Sequence, residues 1–106
     1  MQVHRLEDMT KGWFVGDFAP TALHSAAAEV AVKTYPAGAR EARHRHDVAT
    51  EVTLILSGRA RMNDAVHEAG SIVVIEPGEA TDFEALTEVV TVVVKTPSVA
   101  GDKHAC

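Results

Sequence analysis

Residues 38–58 read GAREARHRHDVATEVTLILSG, and within them Gly38, His44, His46, Glu51 and Gly58 form the pattern Gly-x5-His-x-His-x4-Glu-x6-Gly. On an extended chain, residues i and i+2 share a face and lie about 6.5 Å apart. The imidazoles on either side of Arg45 therefore point the same way. A carboxylate follows five positions later, and a turn-forming glycine stands at each end. Imidazole and carboxylate are ligand types that suit iron, manganese, nickel or zinc. The stretch predicts a site for a divalent transition metal, and it names no substrate.

The second half of this stretch alternates. Val52, Leu54 and Leu56 fall on one face, and Glu51, Thr53, Ile55 and Ser57 on the other. In a simple sandwich the apolar face would be the core. In a barrel around a polar pocket the other face lines the pocket, and the apolar face needs a cover from outside. A second copy of the chain is the natural cover, which makes a homodimer the expected assembly. The pocket arrangement is preferred because it also accounts for the histidines. Arg40, Arg43 and Arg45 beside them read as a solvated charged loop, or alternatively as an anion-facing rim.

Outward from this stretch, short β-branched runs are cut by turn residues at close spacing, the pattern of an all-β sandwich or barrel. Glu29–Tyr35 stops at Pro36-Ala37-Gly38. Arg59–Met62 leads through Asn63-Asp64, a hairpin turn, into Val66–Glu68. Ile72–Ile75 is closed by Pro77-Gly78, Thr81–Leu86 follows, and Val89–Val94 runs on until Pro97 blocks further pairing. The only helix-compatible stretch, Thr21–Ala28, is alanine-rich but too short to stand alone. Gly12–Phe18 holds three of the five aromatic residues and is expected to pack onto the barrel or across a dimer seam, with a pocket lid as the lesser alternative.

Size and composition bound the function. A chain of 106 residues is one domain, long enough for a single core without staples. A net charge of −5 argues against non-specific nucleic-acid binding, which needs a positive surface. No apolar run is long enough to span a bilayer, and Met1–Thr10 has no signal-peptide core. The single cysteine, Cys106, rules out a disulfide framework and fits a reducing, cytoplasmic setting.

The opening pattern resembles the first conserved motif of the cupin superfamily, without gaps. The second motif, Gly-x5-Pro-x-Gly-x2-His-x3-Asn, is matched at Gly70 and Gly78. Glu76 stands at its Pro position, Thr81 at its His and Ala85 at its Asn. The resemblance extends over residues 12–103 and is similar to one branch of small, single-domain cupins. It carries Gly12-Trp13-Phe14 with Gly16-Asp17-Phe18, Thr81-Asp82-Phe83, and a tail with Lys95-Thr96-Pro97-Ser98 and Asp102-Lys103.

The resemblance implies a double-stranded β-helix, the small jelly-roll barrel, with metal ligands aimed into its mouth. By carry-over His44, His46 and Glu51 are ligands, and the usual fourth is missing. Thr81 is a poor substitute. Asp82 is an expected ligand only if a bulge after Pro77-Gly78 re-aims it, because a one-residue step along a strand reverses the side chain. Three ligands still suffice for a centre that keeps a position open. Tyr35 is either a packed strand-end residue or a proton donor at the mouth, and His67 reads as an exposed hairpin residue. Three functions remain open: a metal-dependent isomerase, epimerase or oxygenase on a small polar metabolite such as a sugar or sugar nucleotide; a non-catalytic small-molecule binder; and an accessory dimer.

Overall fold

Period-two alternation runs through nearly every strand and divides the side chains between an enclosed interior and the outside. The computed structural model describes residues 1–106, with strands β1 (Trp13–Gly16), β2 (Leu23–His24), β3 (Glu29–Tyr35), β4 (Arg40–His46), β5 (Thr50–Ser57), β6 (Arg59–Met62), β7 (Ala65–Glu68), β8 (Ile72–Ile75), β9 (Ala80–Ala85), β10 (Val89–Thr96) and β11 (Lys103–Ala105). They form a six-stranded sheet, β2-β1-β3-β10-β5-β8, and a five-stranded sheet, β11-β4-β9-β6-β7. This is an all-β double-stranded β-helix. The one helical element is a short 3₁₀ turn at Leu6–Asp8, and no helix is long and apolar enough to cross a membrane.

The interior is dry at one end and polar at the other. Ile55, Ala60, Met62, Ile75, Phe83, Ala85 and Val89 form the apolar core. Farther along the same inward faces come Thr53, Thr81 and Thr91, then His44, His46 and Glu51, all buried. In β5 the inward set is Glu51, Thr53 and Ile55, as expected for a pocket-lining strand. The outward set meets no cover within the chain: Leu56, Ile72 and Val74 are 56%, 66% and 52% exposed.

Turn chemistry follows the residues. Asn63 and Asp64 have φ of 50° and 65°, the paired left-handed conformations of a two-residue hairpin turn, and they join β6 to β7. Gly58 has φ +84°, and a Cβ there would lie 2.0 Å from the Glu88 carbonyl oxygen. That glycine is required by a close backbone approach as well as by its dihedral.

One expectation is corrected, and a second stretch behaves as its length implies. The arginine-rich stretch is strand β4 rather than a loop; its arginines lie outside, where Arg40 pairs with Glu84 and Arg45 with Asp47. Thr21–Ala28 forms no helix. Its Leu23–His24 pairs in parallel with β1, and the Ala22 N–H and Thr21 hydroxyl both donate to the Phe14 carbonyl. A segment of that length gains too little from local helix bonds to resist such partners.

The Gly58 geometry gives the first test. Gly58→Ala is expected to lower stability by about 2–4 kcal/mol, combining dihedral strain with a backbone clash. Gly38→Ala, where φ is +88° but nothing lies within 4 Å, should cost only about 1–2 kcal/mol. Urea unfolding of the two variants measures the difference, and equal losses would remove the close-approach argument.

Candidate metal centre

The local event that builds the site is a bulge in β4. Glu41 pairs with Phe83 and His44 with Thr81, so the register shifts between them and one extra residue of β4 is accommodated at Ala42–Arg43. Strict alternation would put Glu41 and His44 on opposite faces. The bulge turns both inward and leaves Ala42 and Arg43 exposed. His46 follows on the same face by alternation. Glu51 arrives from β5, in the opposite sheet, after the short connection 47–49.

His44, His46 and Glu51 each offer one ligand atom, and these atoms lie within 4.8 Å of one another. Ligand atoms on a common zinc ion at 2.0–2.2 Å stand about 3–4 Å apart, so a small side-chain rotation closes the set. The His44 Nδ1–H donates to the Ala42 carbonyl oxygen at 2.9 Å, which leaves Nε2 with its lone pair for the cluster. The Ala42 carbonyl at the bulge thus fixes the orientation of the His44 ring. His46 Nε2 is buried without any hydrogen-bond partner, an arrangement that costs free energy unless something else takes the lone pair. Burial, with help from Lys95 and His44, lowers the His46 pKa to about 4, so its ring is neutral near pH 7, as a metal ligand must be. Glu51 accepts a hydrogen bond from Thr53 Oγ1 at 2.9 Å. Two neutral imidazoles and one carboxylate fit a divalent transition metal, with room for an open position.

Asp82 does not join them. β9 carries no bulge, so Thr81 faces inward and Asp82 outward. The Asp82 carboxylate accepts the Asn63 N–H at 2.8 Å, and the Thr81 hydroxyl donates to the Asp82 carbonyl oxygen at 3.0 Å. No bulge follows Pro77-Gly78; the bulge of this sheet lies in β4, and the groups that converge are His44, His46 and Glu51 alone.

Several residues around the cluster carry no motif, and of these only Tyr35 was singled out by the sequence. Tyr35 donates to Glu41 Oε1 at 2.8 Å while its ring packs on Phe83, with centroids 4.6 Å apart. Burial and the Glu41 carboxylate push its phenol well above the ordinary range, so it remains a donor. Burial acts to raise the Glu41 pKa, but the Lys33 ammonium at 3.3 Å and the Tyr35 hydroxyl outweigh it and hold it low. Lys95 faces inward between Glu29 and Glu51, and burial lowers its pKa against the pull of both carboxylates. The one sequence signal was a lysine continuing the inward face of the apolar run Val89–Val94.

Asp102 closes the site from the C-terminal segment. Its buried carboxylate accepts the N–H groups of Asp47, Val48 and Ala49 at 2.9–3.2 Å. Those residues link His46 to Glu51, so Asp102 sets the separation of two ligands. Beyond it, β11 pairs with β4, placing Lys103 opposite His46 and Ala105 opposite His44.

Comparison with known proteins supports the fold. No protein-family model matches the sequence, and no curated protein matches it. Solved structures do. A conserved protein with a double-stranded β-helix domain from Klebsiella pneumoniae aligns over 98% of this chain and 91% of its own at 20% identity and TM-score 0.71. The DMSP lyase DddQ from Ruegeria pomeroyi aligns over 88% of this chain but 49% of its own, at 17% identity and TM-score 0.73. A sugar phosphate isomerase from a cupin superfamily, from Silicibacter pomeroyi, aligns over 68% of this chain and 52% of its own, at 20% identity and TM-score 0.61. The chain therefore has the cupin fold.

Asp102 generates a test in the metal-free protein. The hydrogen-bonded backbone of 47–49 holds its pKa below the usual carboxylate range, against the opposing effect of burial. A carboxyl group of this kind stabilises the fold in full above its unfolded pKa and loses that effect as pH falls through the folded value. Asp102→Ala should cost about 2–4 kcal/mol near pH 7, with the gap to wild type steady down to about pH 5 and shrinking as pH falls through and below the ordinary Asp pKa of about 3.9. Denaturant titrations at several pH values measure this, and a pH-independent gap would contradict it.

Proposed function

We propose that this chain is a divalent-metal-binding cupin acting on a small polar metabolite, a sugar or sugar derivative among the candidates, by isomerase, epimerase or oxygenase-type chemistry. The observation that carries this reading is the convergence of His44, His46 and Glu51 at the polar end of the barrel beside a hollow of about 360 Å³. That volume suits a small ligand. The bound ion would act as a Lewis acid on a substrate oxygen. The chain's own residues would do the rest. His44, held by the Ala42 carbonyl, and His46 present fixed lone pairs. Tyr35 keeps its proton and donates a hydrogen bond to Glu41, so the pair forms a fixed polar element of the inner wall. Lys33 keeps Glu41 ionised. Trp13 lines the site where the two hollows meet. A lyase and a sugar phosphate isomerase among the fold neighbours are compatible with this range of chemistry.

Metal analysis tests the ligand set. Purified wild type should take up one equivalent of a divalent ion from a mixture of Fe(II), Mn(II), Ni(II) and Zn(II). His44→Ala should weaken uptake by more than about 100-fold, while Asp82→Ala should leave it unchanged. Retained uptake in His44→Ala would sink the assignment. Screening sugar phosphates and nucleotide sugars with each ion then separates an enzyme from an accessory cupin, which would bind without turnover.

The same reading includes a homodimer through the outer face of β5 and β8. Its support is the contiguous exposed stripe of Leu56, Ile72 and Val74 at a free sheet edge, where a copy related by a two-fold axis presents the same apolar residues. Leu56→Glu together with Val74→Glu should halve the mass measured by light scattering. An unchanged mass would remove this interface.

A further inference from the structure

The chain has four lysines against fifteen acidic residues, yet Lys33, Lys95 and Lys103 all line the cavities at the metal cluster. Two hollows meet there. The outer one, about 360 Å³, includes His46, and the inner one, about 50 Å³, includes His44 and Glu51. The residues common to both are Trp13, Lys95 and Lys103, which therefore form the neck between them. Lys103 faces the neck from directly opposite His46. Lys95 Nζ lies 5.0 Å from the centre of the Trp13 ring, so the indole holds the ammonium at the opening.

The acidic groups nearby are largely committed elsewhere. Glu41 is engaged by Lys33 and Tyr35, Asp102 by three backbone N–H groups, and Glu51 by Thr53 and the ligand cluster. Glu29 accepts from Ser98 and approaches Lys95 only to 3.9 Å. Lys103 forms no ion pair. Lys103 thus flanks the passage to the cluster without a counter-ion, and Lys95 flanks it with one long ion pair, to Glu29 at 3.9 Å. Beyond them Phe18, Val99 and Ala100 give the outer hollow an apolar lining, alongside polar groups from Thr10, Glu29 and Asp102 that line it as well. No arginine reaches this hollow, so the bidentate fork that favours phosphate is missing.

We propose that the neck binds the carboxylate of a small organic acid between Lys95 and Lys103, with the acid's apolar body against Trp13 and Phe18. This rests on the metal reading for what lies beneath the carboxylate and narrows the metabolite to an acid. Trp13 is the only tryptophan, so its emission reports on the neck alone. Zinc-loaded protein, with its zinc content measured, is titrated at constant ionic strength with phenylacetate, with the uncharged isostere phenylacetamide, and with inorganic phosphate. Phenylacetate should give a saturable change, and the amide and phosphate should each bind at least about tenfold more weakly. Lys103→Gln, an exposed position that does not threaten folding, should weaken phenylacetate about tenfold, whereas Arg59→Gln on the far surface should not.

Equal binding of the amide, phosphate as tight as the acid, no saturable response, or indifference to Lys103→Gln would each overturn the proposal. Zinc bound without selectivity for the acid sinks this inference and leaves the metal reading standing. If zinc does not bind, the metal reading fails, and the same titration on metal-free protein still decides the neck by its dependence on Lys103.

Discussion

One extra residue in β4 organises the site. The bulge at Ala42–Arg43 lets Glu41 and His44 share an inner face that alternation would deny one of them, and its Ala42 carbonyl fixes the ring of His44. Bulges cost ladder hydrogen bonds, and here the exposed edge of the insertion carries Arg43, which finds Asn63 on the outside. A straight β4 with His44 and His46 still inward would aim Glu41 at solvent. The inner wall would then lose the acceptor of Tyr35 and the partner of Lys33.

The barrel interior follows from a division of labour along its axis. Apolar residues fill one end, and the three inward threonines mark the passage to the titratable groups at the other. Buried polar groups are tolerated where partners are supplied, and the protein supplies them through Thr53 for Glu51, Ala42 for His44, and Tyr35 with Lys33 for Glu41. His46 Nε2 and Thr91 Oγ1 are the buried atoms left over. Of the two, the imidazole nitrogen sits within reach of the ligand atoms of His44 and Glu51, and that placement is what points to a metal.

Segments remote in sequence shape the same opening. Trp13 comes from the first strand, Lys95 from the tenth, and Asp102 with Lys103 from the last few residues. The C-terminal segment both braces the 47–49 connection and places an ammonium opposite His46. Ligand geometry and neck charge are therefore mechanically linked, since anything that loosens the Asp102 clasp moves His46 relative to Glu51.

The strands that could be read from residues alone were short runs closed off by turn signals: Glu29–Tyr35, Arg59–Met62 and Ile72–Ile75 appear with those bounds. The His-x-His spacing with Glu51 was equally legible, because two residues on one strand share a face whatever surrounds them. The fate of Asp82 was not, since the bulge lay on the partner strand and the register of one strand against another is a tertiary fact. Asp102, Glu41, Lys95 and Lys103 stayed invisible for a related reason. Each acts through a neighbour far away in the chain, and only closure of the barrel brings those neighbours within hydrogen-bonding or Coulombic reach.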